Sequence, residues 1–252
     1  MSFLQQVRQE KQREVDALLQ NPPMLQNRSS PRSLKTALSS EGVAAIAEIK
    51  RRSPTRGPIR PGSKPAEIAV QYEAYGACAI SMLTDTPHFG GRLEELEEVR
   101  QSIQLPVLRK DFLIHPIQVD ESYAAGADAV LLIVAMLSDS ELSALLKRSE
   151  DLGMDTLVEV HDAAELERAL ATSAPIIGVN NRNLKSLEID LAQAEELLPM
   201  CPEDRIRVAE SGLFFKEDVD RMVSAGADAI LVGSSLMLAD HPGQALEALL
   251  CG

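Results

Sequence analysis

Two kinds of hydrophobic pattern follow one another along this chain, one typical of strands and the other typical of amphipathic helices. Short apolar and β-branched runs predict eight strands, at residues 43–50, 77–85, 105–112, 127–135, 155–161, 176–180, 205–210 and 227–232. Segments such as 92–104 and 139–152 lie between them, and their apolar residues recur at the three- and four-residue steps of amphipathic helices. Eight strand–helix units in 252 residues have the size of a single (β/α)8 barrel of the α/β class, a TIM barrel.

Internal similarity supports the barrel. Residues 123–132 resemble 223–232, and residues 72–80 are a weaker copy of both. Each copy indicates a helix end, then a glycine suited to positive φ, then a buried strand. A doubly wound open sheet is the alternative, but no Gly-x-Gly-x-x-Gly turn follows any predicted strand. The pattern therefore favours the closed barrel.

Residues 1–42 precede the first strand and predict a helical extension packed on a barrel of residues 43–252. One helix has an apolar stripe of Phe3, Leu4, Val7, Val15, Leu18 and Leu19, and a second short helix is indicated by Leu34 and Leu38. Two roles are open for this extension. It closes the floor of the barrel, or it covers one rim.

Composition and charge narrow the function classes. The formal net charge of −13 repels polyphosphate and anionic lipid, so we expect no nucleic-acid or membrane partner. The first residues lack the apolar core of a signal peptide, and the longest apolar run, 129–137, is too short to span a bilayer. Cys78, Cys201 and Cys251 share no metal-type spacing and indicate reduced thiols. We expect a cytoplasmic protein.

Candidate chemistry lies where the predicted strands end, because the active sites of TIM barrels are built at the carboxyl ends of their strands. Side chains two positions apart share a face of a strand. Five strands carry such sets, namely Ile46, Glu48 and Lys50; Leu108, Lys110 and Phe112; Leu157 and Glu159; Gly178, Asn180 and Arg182; and Val208 and Glu210. Several charges in one mouth are costly to desolvate, which indicates a ligand.

The neighbouring register holds other polar side chains. Arg109, Asp111 and His161 lie on the opposite face of their strands from Lys110 and Glu159. We therefore expect these three to point outward, as structural or helix-capping groups.

Two motifs predict a phosphate site. Ser211-Gly212 follows the seventh strand and Gly233-Ser234-Ser235 follows the eighth, where barrels often bind phosphate with backbone N–H groups. Either motif alone is equally consistent with a simple turn. The first loop, residues 50–58, is basic and hinged by proline and glycine, so it indicates either a solvated loop or a lid that supplies positive potential.

Six stretches, taken in order, resemble the indole-3-glycerol phosphate synthase family. They are Ala47-Glu48-Ile49-Lys50 with Ser53-Pro54, Leu83-Thr84-Asp85 with Phe89-Gly90-Gly91, Leu108-Arg109-Lys110-Asp111-Phe112, Leu157-Val158-Glu159-Val160-His161, Gly178-Val179-Asn180-Asn181-Arg182-Asn183, and Ala209-Glu210-Ser211-Gly212. The resemblance runs from about Pro31 onward and is to the monofunctional form. Thr55 and Arg56 stand where Ser and Lys are more usual, which conserves the chemistry.

The resemblance implies a carboxy-lyase acting on 1-(2-carboxyphenylamino)-1-deoxyribulose 5-phosphate, without metal or cofactor. It implies that Lys110 protonates the ketone oxygen, that Glu159 serves the dehydration, and that Lys50 pairs with the substrate carboxylate. It implies that the hydroxyls are oriented and the cationic intermediate is stabilised by Glu48, Asn180 and Glu210, and that Arg182 binds the phosphate or carboxylate side. The two strand-end motifs are predicted to bind the phosphate through Ser211, Gly212, Gly233 and Ser234, with Ser53 contributing from the first loop. The aromatic ring is lined by Phe89, Phe112, Leu83 and Leu131, each of which is equally consistent with a core residue. The order of the proton transfers stays open.

Three alternatives remain. Phosphoribosylanthranilate isomerase has the same fold but needs an early cysteine base, and no Cys ends the first strand here. A class I aldolase also places a lysine at a strand end. A binding protein without catalysis would not need a lysine and several carboxylates in one mouth.

Overall fold

Eight parallel strands form a closed barrel in the computed structural model, which describes residues 3–25, 28–39, 42–184 and 186–252. They are β1 (Ala44–Ile49), β2 (Ala79–Leu83), β3 (Val107–Lys110), β4 (Ala129–Ile133), β5 (Asp155–Val160), β6 (Ile176–Asn180), β7 (Ile206–Glu210) and β8 (Ala229–Val232). Each strand pairs with the next, and β8 pairs with β1 to close the barrel. The predicted TIM barrel is confirmed.

Helices cover the outside of the barrel. They are α1 (Phe3–Gln20), α2 (Leu34–Leu38), α3 (Pro65–Ala74), α4 (Thr86–Phe89), α5 (Leu93–Ser102), α6 (Pro116–Ala124), α7 (Asp139–Asp151), α8 (Ala163–Leu170), α9 (Ala192–Leu197), α10 (Lys216–Ser224), α11 (Ser234–Leu238) and α12 (Pro242–Cys251). Their starts follow local capping chemistry. The Ser138 hydroxyl accepts the Glu141 N–H, and the Glu141 carboxylate accepts the Ser138 N–H, so α7 begins at Asp139. None of the helices in the described ranges has the length and apolar character needed to cross a membrane.

The repeated glycines end helices as the internal similarity predicts. Gly76, Gly126 and Gly226 have φ of +93°, +94° and +98°, and each lies between a helix and the next barrel strand. This left-handed conformation carries a steric cost for residues with a Cβ, so glycine is favoured at each position.

The amino-terminal segment contacts both ends of the barrel. On α1, the Lys11 ammonium lies 3.1 Å from Asp85 Oδ1 and 2.9 Å from Asp111 Oδ1, two carboxylates just beyond the carboxyl ends of β2 and β3. At the opposite end, the Arg28 guanidinium is 3.2 Å from Asp128, which directly precedes β4. The floor and rim roles are thus divided between two parts of the segment. The division into residues 1–42 and 43–252 stays a prediction, and residues 1, 2, 26, 27, 40 and 41 lie outside the described part.

Candidate active site

A lysine held by two carboxylates lies at the centre of the barrel mouth. Lys110, the last residue of β3, places its Nζ 2.9 Å from Glu159 Oε2 on β5 and 2.6 Å from Glu210 Oε2 at the end of β7. Only 13% of the Lys110 side chain is exposed, against 3% for Glu159 and 1% for Glu210. One cation therefore lies between two carboxylates that water barely reaches.

A second ion pair lies on β1. The Lys50 ammonium donates to Glu48 Oε1 at 2.6 Å, and Glu48 is buried. Glu48 also contributes to the field at Lys110, because its negative charge favours the ammonium form. Asn180, the last residue of β6, accepts the Arg182 N–H through its side-chain oxygen and shapes the start of the following loop.

Burial and charge act in opposite directions on Lys110. Burial disfavours the ammonium, but Glu159, then Glu210 and Glu48, outweigh burial and raise the Lys110 pKa well above its usual range. Burial likewise disfavours the Glu159 carboxylate, but Lys110 and then His161 outweigh it and hold the Glu159 pKa below its usual range. Both groups are thus charged near neutral pH.

Glu210 behaves differently from Glu159. Burial and the neighbouring Glu159 carboxylate raise the Glu210 pKa to about 7, and Lys110 only partly opposes them. Two carboxylates around one ammonium therefore differ in their affinity for a proton. Such a difference separates a group that accepts protons from one that can hold a proton near neutral pH.

Gly178 provides the space that Glu210 occupies. Gly178 lies on β6, and a Cβ there would come within 2.2 Å of Glu210 Oε1 and 3.1 Å of Leu157 Cδ1. Any larger residue would displace the carboxylate from its position beside Lys110. The sequence showed Gly178 on the inward face, but nothing in it showed that the missing side chain makes room for Glu210.

Aromatic rings form one wall of the same cavity. The Phe112 ring lies 6.2 Å from the Phe89 ring and 6.3 Å from the Phe3 ring, measured between centroids. Leu131, from the middle of β4, also lines the cavity. Phe3 comes from α1 and was not among the predicted site residues. The prediction was based on alternation along the barrel strands, and Phe3 lies outside all of them. A flat aromatic ligand would find an apolar surface here.

Cations gather beside the loops after β6, β7 and β8. Burial lowers the Arg182 pKa, and the nearby Arg56 guanidinium lowers it further. Among the described residues, neither guanidinium forms an ion pair with a carboxylate. Arg56 instead lies over the Phe214 ring, 5.7 Å from its centroid. Two positive charges that face one cavity without a carboxylate in ion-pair contact, among the described residues, are suited to an anionic ligand.

The first loop is held against the barrel as a short ribbon. Arg52–Ser53 pairs in antiparallel fashion with Gly57–Pro58. Arg51 anchors this ribbon, since its guanidinium donates to Glu95 Oε1 at 2.9 Å and to the Gly90 carbonyl at 3.0 Å. Ser53 and Arg56 thereby face the cavity.

The glycines of the two predicted phosphate motifs are required by close packing against neighbouring side chains. Gly212 has φ +86°, and a Cβ there would lie 2.6 Å from Ile189 and 2.9 Å from Leu191. A Cβ on Gly233 would lie 2.5 Å from Glu48 Oε1. Both glycines thus make room for neighbouring protein side chains, whether or not a ligand is bound. Ser211 also has a positive φ, of 68°.

Every predicted site residue lines this one cavity. They are Glu48, Lys50, Ser53, Phe89, Lys110, Phe112, Leu131, Glu159, Asn180, Arg182, Glu210, Ser211, Gly212, Gly233 and Ser234. Residues outside that prediction also line the cavity, among them Phe3, Arg56, Leu187 and Phe214. Arg56 was recognisable as part of the basic first loop, whereas Phe214 and Leu187 carried no signal in their local pattern.

The outward placement predicted for three residues is correct for one and partly correct for the other two. Arg109 points away from the cavity and donates to Glu121 Oε2 at 2.8 Å. Asp111 pairs with Arg109 and Lys11, as a structural group would, but it also borders the cavity. The His161 side chain turns back toward the site, and its Nε2 lies 3.2 Å from Glu159 Oε1. His161 follows the end of β5, where strand alternation no longer determines direction.

Solved structures with a similar fold include phosphate-handling barrels. A thiamine phosphate pyrophosphorylase from Pyrococcus furiosus superposes with a TM-score of 0.59 at 19% identity, covering 86% of this chain and 96% of that one. A 3-hexulose-6-phosphate synthase gives a TM-score of 0.63 at 17% identity, covering 82% and 98%. At this identity the likeness shows the fold alone.

Sequence relatives are much more similar. An indole-3-glycerol phosphate synthase of Koribacter versatilis is 46% identical over 224 residues, which is 88% of this chain and 86% of the relative. One of Kineococcus radiotolerans is 49% identical over 208 residues, covering 82% and 76%. The family model described as indole-3-glycerol phosphate synthase matches residues 4–249. With these matches and the barrel described above, the chain belongs to the indole-3-glycerol phosphate synthase family, the carboxy-lyases of tryptophan biosynthesis.

Proposed function

We propose that this chain converts 1-(2-carboxyphenylamino)-1-deoxyribulose 5-phosphate into indole-3-glycerol phosphate, carbon dioxide and water. The observation that carries the proposal is the Lys110 ammonium between Glu159 and Glu210, beside an aromatic wall and two arginines. A reaction with a ketone, an aromatic ring and a phosphate needs these three surfaces together. Membership of the family supports the same substrate.

Ring closure is assigned to Lys110. The aromatic carbon bearing the carboxylate attacks the ketone carbon, and the ketone oxygen takes a proton as the carbon–carbon bond forms. An ammonium with a raised pKa stays protonated until the developing alkoxide, which is a stronger base, is adjacent, and Lys110 faces the cavity from the end of β3. Lys50 is assigned to pair with the substrate carboxylate before carbon dioxide leaves.

Dehydration is assigned to Glu159. After carbon dioxide has left, water is lost from the new ring carbon while a neighbouring proton is removed. Glu159 is ionised because Lys110 and His161 outweigh its burial, so it can accept that proton. Glu48, Glu210 and Asn180 are assigned to orient the hydroxyls and to stabilise the cationic intermediate.

The residues that line the cavity indicate where each end of the substrate binds. Phe89, Phe112 and Leu131 are assigned to the anthranilate ring. Arg182, Ser211, Gly212, Gly233 and Ser234 are assigned to the phosphate, and Ser53 approaches from the first loop. We further propose that the protein works in the cytoplasm, because its three cysteines are free thiols. We propose no nucleic-acid partner, because the formal net charge of the chain is −13.

Turnover is expected as a rise in indole fluorescence when the purified chain meets the anthranilate-substituted ribulose phosphate. The chain contains no Trp, so tryptophan fluorescence of the protein does not obscure the emission of the product. Carbon dioxide release measured in parallel should match the indole formed, one for one. EDTA is expected to leave the rate unchanged, because the site's acid and bases are side chains.

Absence of both signals from folded protein would overturn the proposed function. A strong loss of rate with EDTA would instead require a metal among the carboxylates.

Arg182→Gln is expected to raise KM for the phosphorylated substrate by about tenfold or more, with a smaller effect on kcat. Charge-assisted hydrogen bonds contribute about 1.5–3 kcal/mol, and Arg182 faces the proposed anion site. Inorganic phosphate should compete with substrate in the parent and less well in the variant. Arg221→Gln is a matched control, because Arg221 pairs with Glu195 on the outer helices.

An unchanged KM in Arg182→Gln, with parent-like competition by phosphate, would place the phosphate elsewhere. Valine at Gly233 is not a clean test, because its Cβ would collide with Glu48.

A further inference from the structure

His161 stands directly behind the carboxylate assigned as the base. Its Nε2 lies 3.2 Å from Glu159 Oε1, whereas Lys110 occupies the other oxygen, Oε2, at 2.9 Å. Each oxygen of Glu159 therefore has its own nitrogen partner. The His161 contact is an ion pair, and its angle is not that of a well-aligned hydrogen bond. Only 9% of the His161 side chain is exposed.

The first turn of α8 holds the imidazole in place. Glu165 Oε2 lies 3.1 Å from His161 Nδ1, and the same oxygen accepts the backbone N–H of His161 at 2.9 Å. Asp162 in turn caps the helix, since its side chain accepts the Glu165 N–H at 2.9 Å. The orientation of the ring is thus set by a helix start, away from the cavity.

Both ring nitrogens face carboxylates, which favours the doubly protonated imidazolium. Burial disfavours that charge, but Glu159 and Glu165 outweigh it and raise the His161 pKa to about 10. His161 therefore carries a positive charge throughout the neutral range. This charge is the second cation beside Glu159.

A second cation is needed because Lys110 is shared. Three groups surround Glu159: Lys110 at the end of β3, Glu210 at the end of β7, and His161 in the loop that follows β5. Glu48 on β1 adds negative charge to the cluster. With Lys110 alone, one ammonium would serve two buried carboxylates, and repulsion between them raises the pKa of one. With His161 present, the carboxylate that stays ionised is Glu159.

We propose that His161 is a positioning residue that, as an imidazolium held by Glu165, orients the Glu159 carboxylate and keeps it ionised as the base of the reaction. This inference rests on the proposed function for the role of Glu159, though the ion pair itself does not. The imidazole is not itself part of the cavity lining, and it acts only through Glu159.

The sign of the pH effect follows from the charges. Removing the imidazolium raises the Glu159 pKa, so the ionised base is lost at a higher pH as the solution is acidified. The limb of the kcat/KM profile that reports Glu159 lies at the acid end, below the titration of Glu210 near pH 7, and it should therefore move upward in pH. Opposite charges at this distance shift a carboxyl pKa by about 1–3 units, so a displacement of about one unit or more is expected.

The first test compares pH–rate profiles of the parent, His161→Gln and Glu167→Gln. His161→Gln should displace the acid limb by about one unit and recover to within a few-fold of the parent kcat on the alkaline plateau. Glu167→Gln is the matched control, because Glu167 is exposed on the same helix, α8, and lies outside the cavity lining. Its acid limb should coincide with that of the parent.

A uniform loss of rate at every pH in His161→Gln, with no displacement of the limb, would show a merely structural role and overturn the inference. A parent-like profile would overturn it as well.

The second test needs no turnover and so separates this inference from the proposed function. The chain has four histidines, and the NMR signal that disappears in His161→Gln identifies the imidazole in question. That imidazole should remain protonated at pH 8 in the parent and lose its proton at lower pH in Glu159→Gln. Two results would overturn the ion pair even if the chain is fully active. One is an imidazole that is neutral at pH 7 in the parent, and the other is a His161 pKa that is the same in the parent and in Glu159→Gln.

Discussion

Lys110→Ala is expected to lower kcat/KM by at least about 10³-fold while the barrel still folds. General acids contribute about 10²–10⁴-fold, and this lysine also pairs with Glu159 and Glu210. Without the ammonium, two buried carboxylates face each other, and one of them takes up a proton. The variant therefore loses the acid and weakens the base together. Steady-state kinetics by indole fluorescence measures the loss.

Lys147→Ala is the matched control for this lysine. Lys147 is exposed on α7, where it pairs with Asp151, so the rate should match that of the parent. Circular dichroism on both variants separates loss of chemistry from loss of fold. A Lys110→Ala variant that folds and turns over within a few-fold of the parent would contradict the assignment.

The same lysine distinguishes the synthase from a class I aldolase. An aldolase lysine attacks a carbonyl as a neutral amine and forms an imine. Glu159, Glu210 and Glu48 outweigh the burial of Lys110 and raise its pKa, so the neutral amine is scarce. Borohydride added during turnover should therefore trap no adduct. A covalent adduct at Lys110 in the mass spectrum would refute the proton-donor role.

Glu159→Gln is expected to lower kcat by about 10²–10⁴-fold with little change in substrate affinity. The amide keeps the shape of the carboxylate but cannot accept the proton. The substrate should still bind, because the assigned aromatic wall and anion site are untouched. Single-turnover kinetics measures the chemical step, and equilibrium titration with the product measures binding.

Glu167→Gln provides the control for this carboxylate, because Glu167 is exposed on α8 and lies outside the cavity lining. Its rate should equal that of the parent. A Glu159→Gln variant within a few-fold of the parent would reassign the base. Glu48 and Glu210 are then the next candidates, since both face Lys110.

Much of the site was predictable because a strand has a period of two. Glu48, Lys110, Glu159, Asn180 and Glu210 each lie at or next to the last residue of a barrel strand. In a closed parallel barrel all carboxyl ends meet at one mouth, so local position was enough to bring them together. The predicted substrate-binding residues were placed in the cavity by the same reasoning and by the family resemblance.

Residues beyond the strand ends were not predictable in this way. His161 was expected to point outward, but the chain has left β5 at that position and the start of α8 turns the ring toward Glu159. Phe3 reaches the cavity only because α1 folds back across the rim. Local periodicity holds no information about where a loop or a preceding helix packs.

The sequence by itself determined the eightfold alternation, the closed barrel and the set of charged residues at its mouth. These follow from periodicity and from the geometry common to parallel barrels, which are local or general properties. Only the tertiary structure decided that one ammonium is shared by Glu159 and Glu210, and that Gly178 makes room for Glu210. Only the tertiary structure placed the His161 ring beside Glu159. Distances of 3 Å between side chains on different strands depend on register, rotamer and packing around the whole barrel, and those are settled only when the chain has closed on itself.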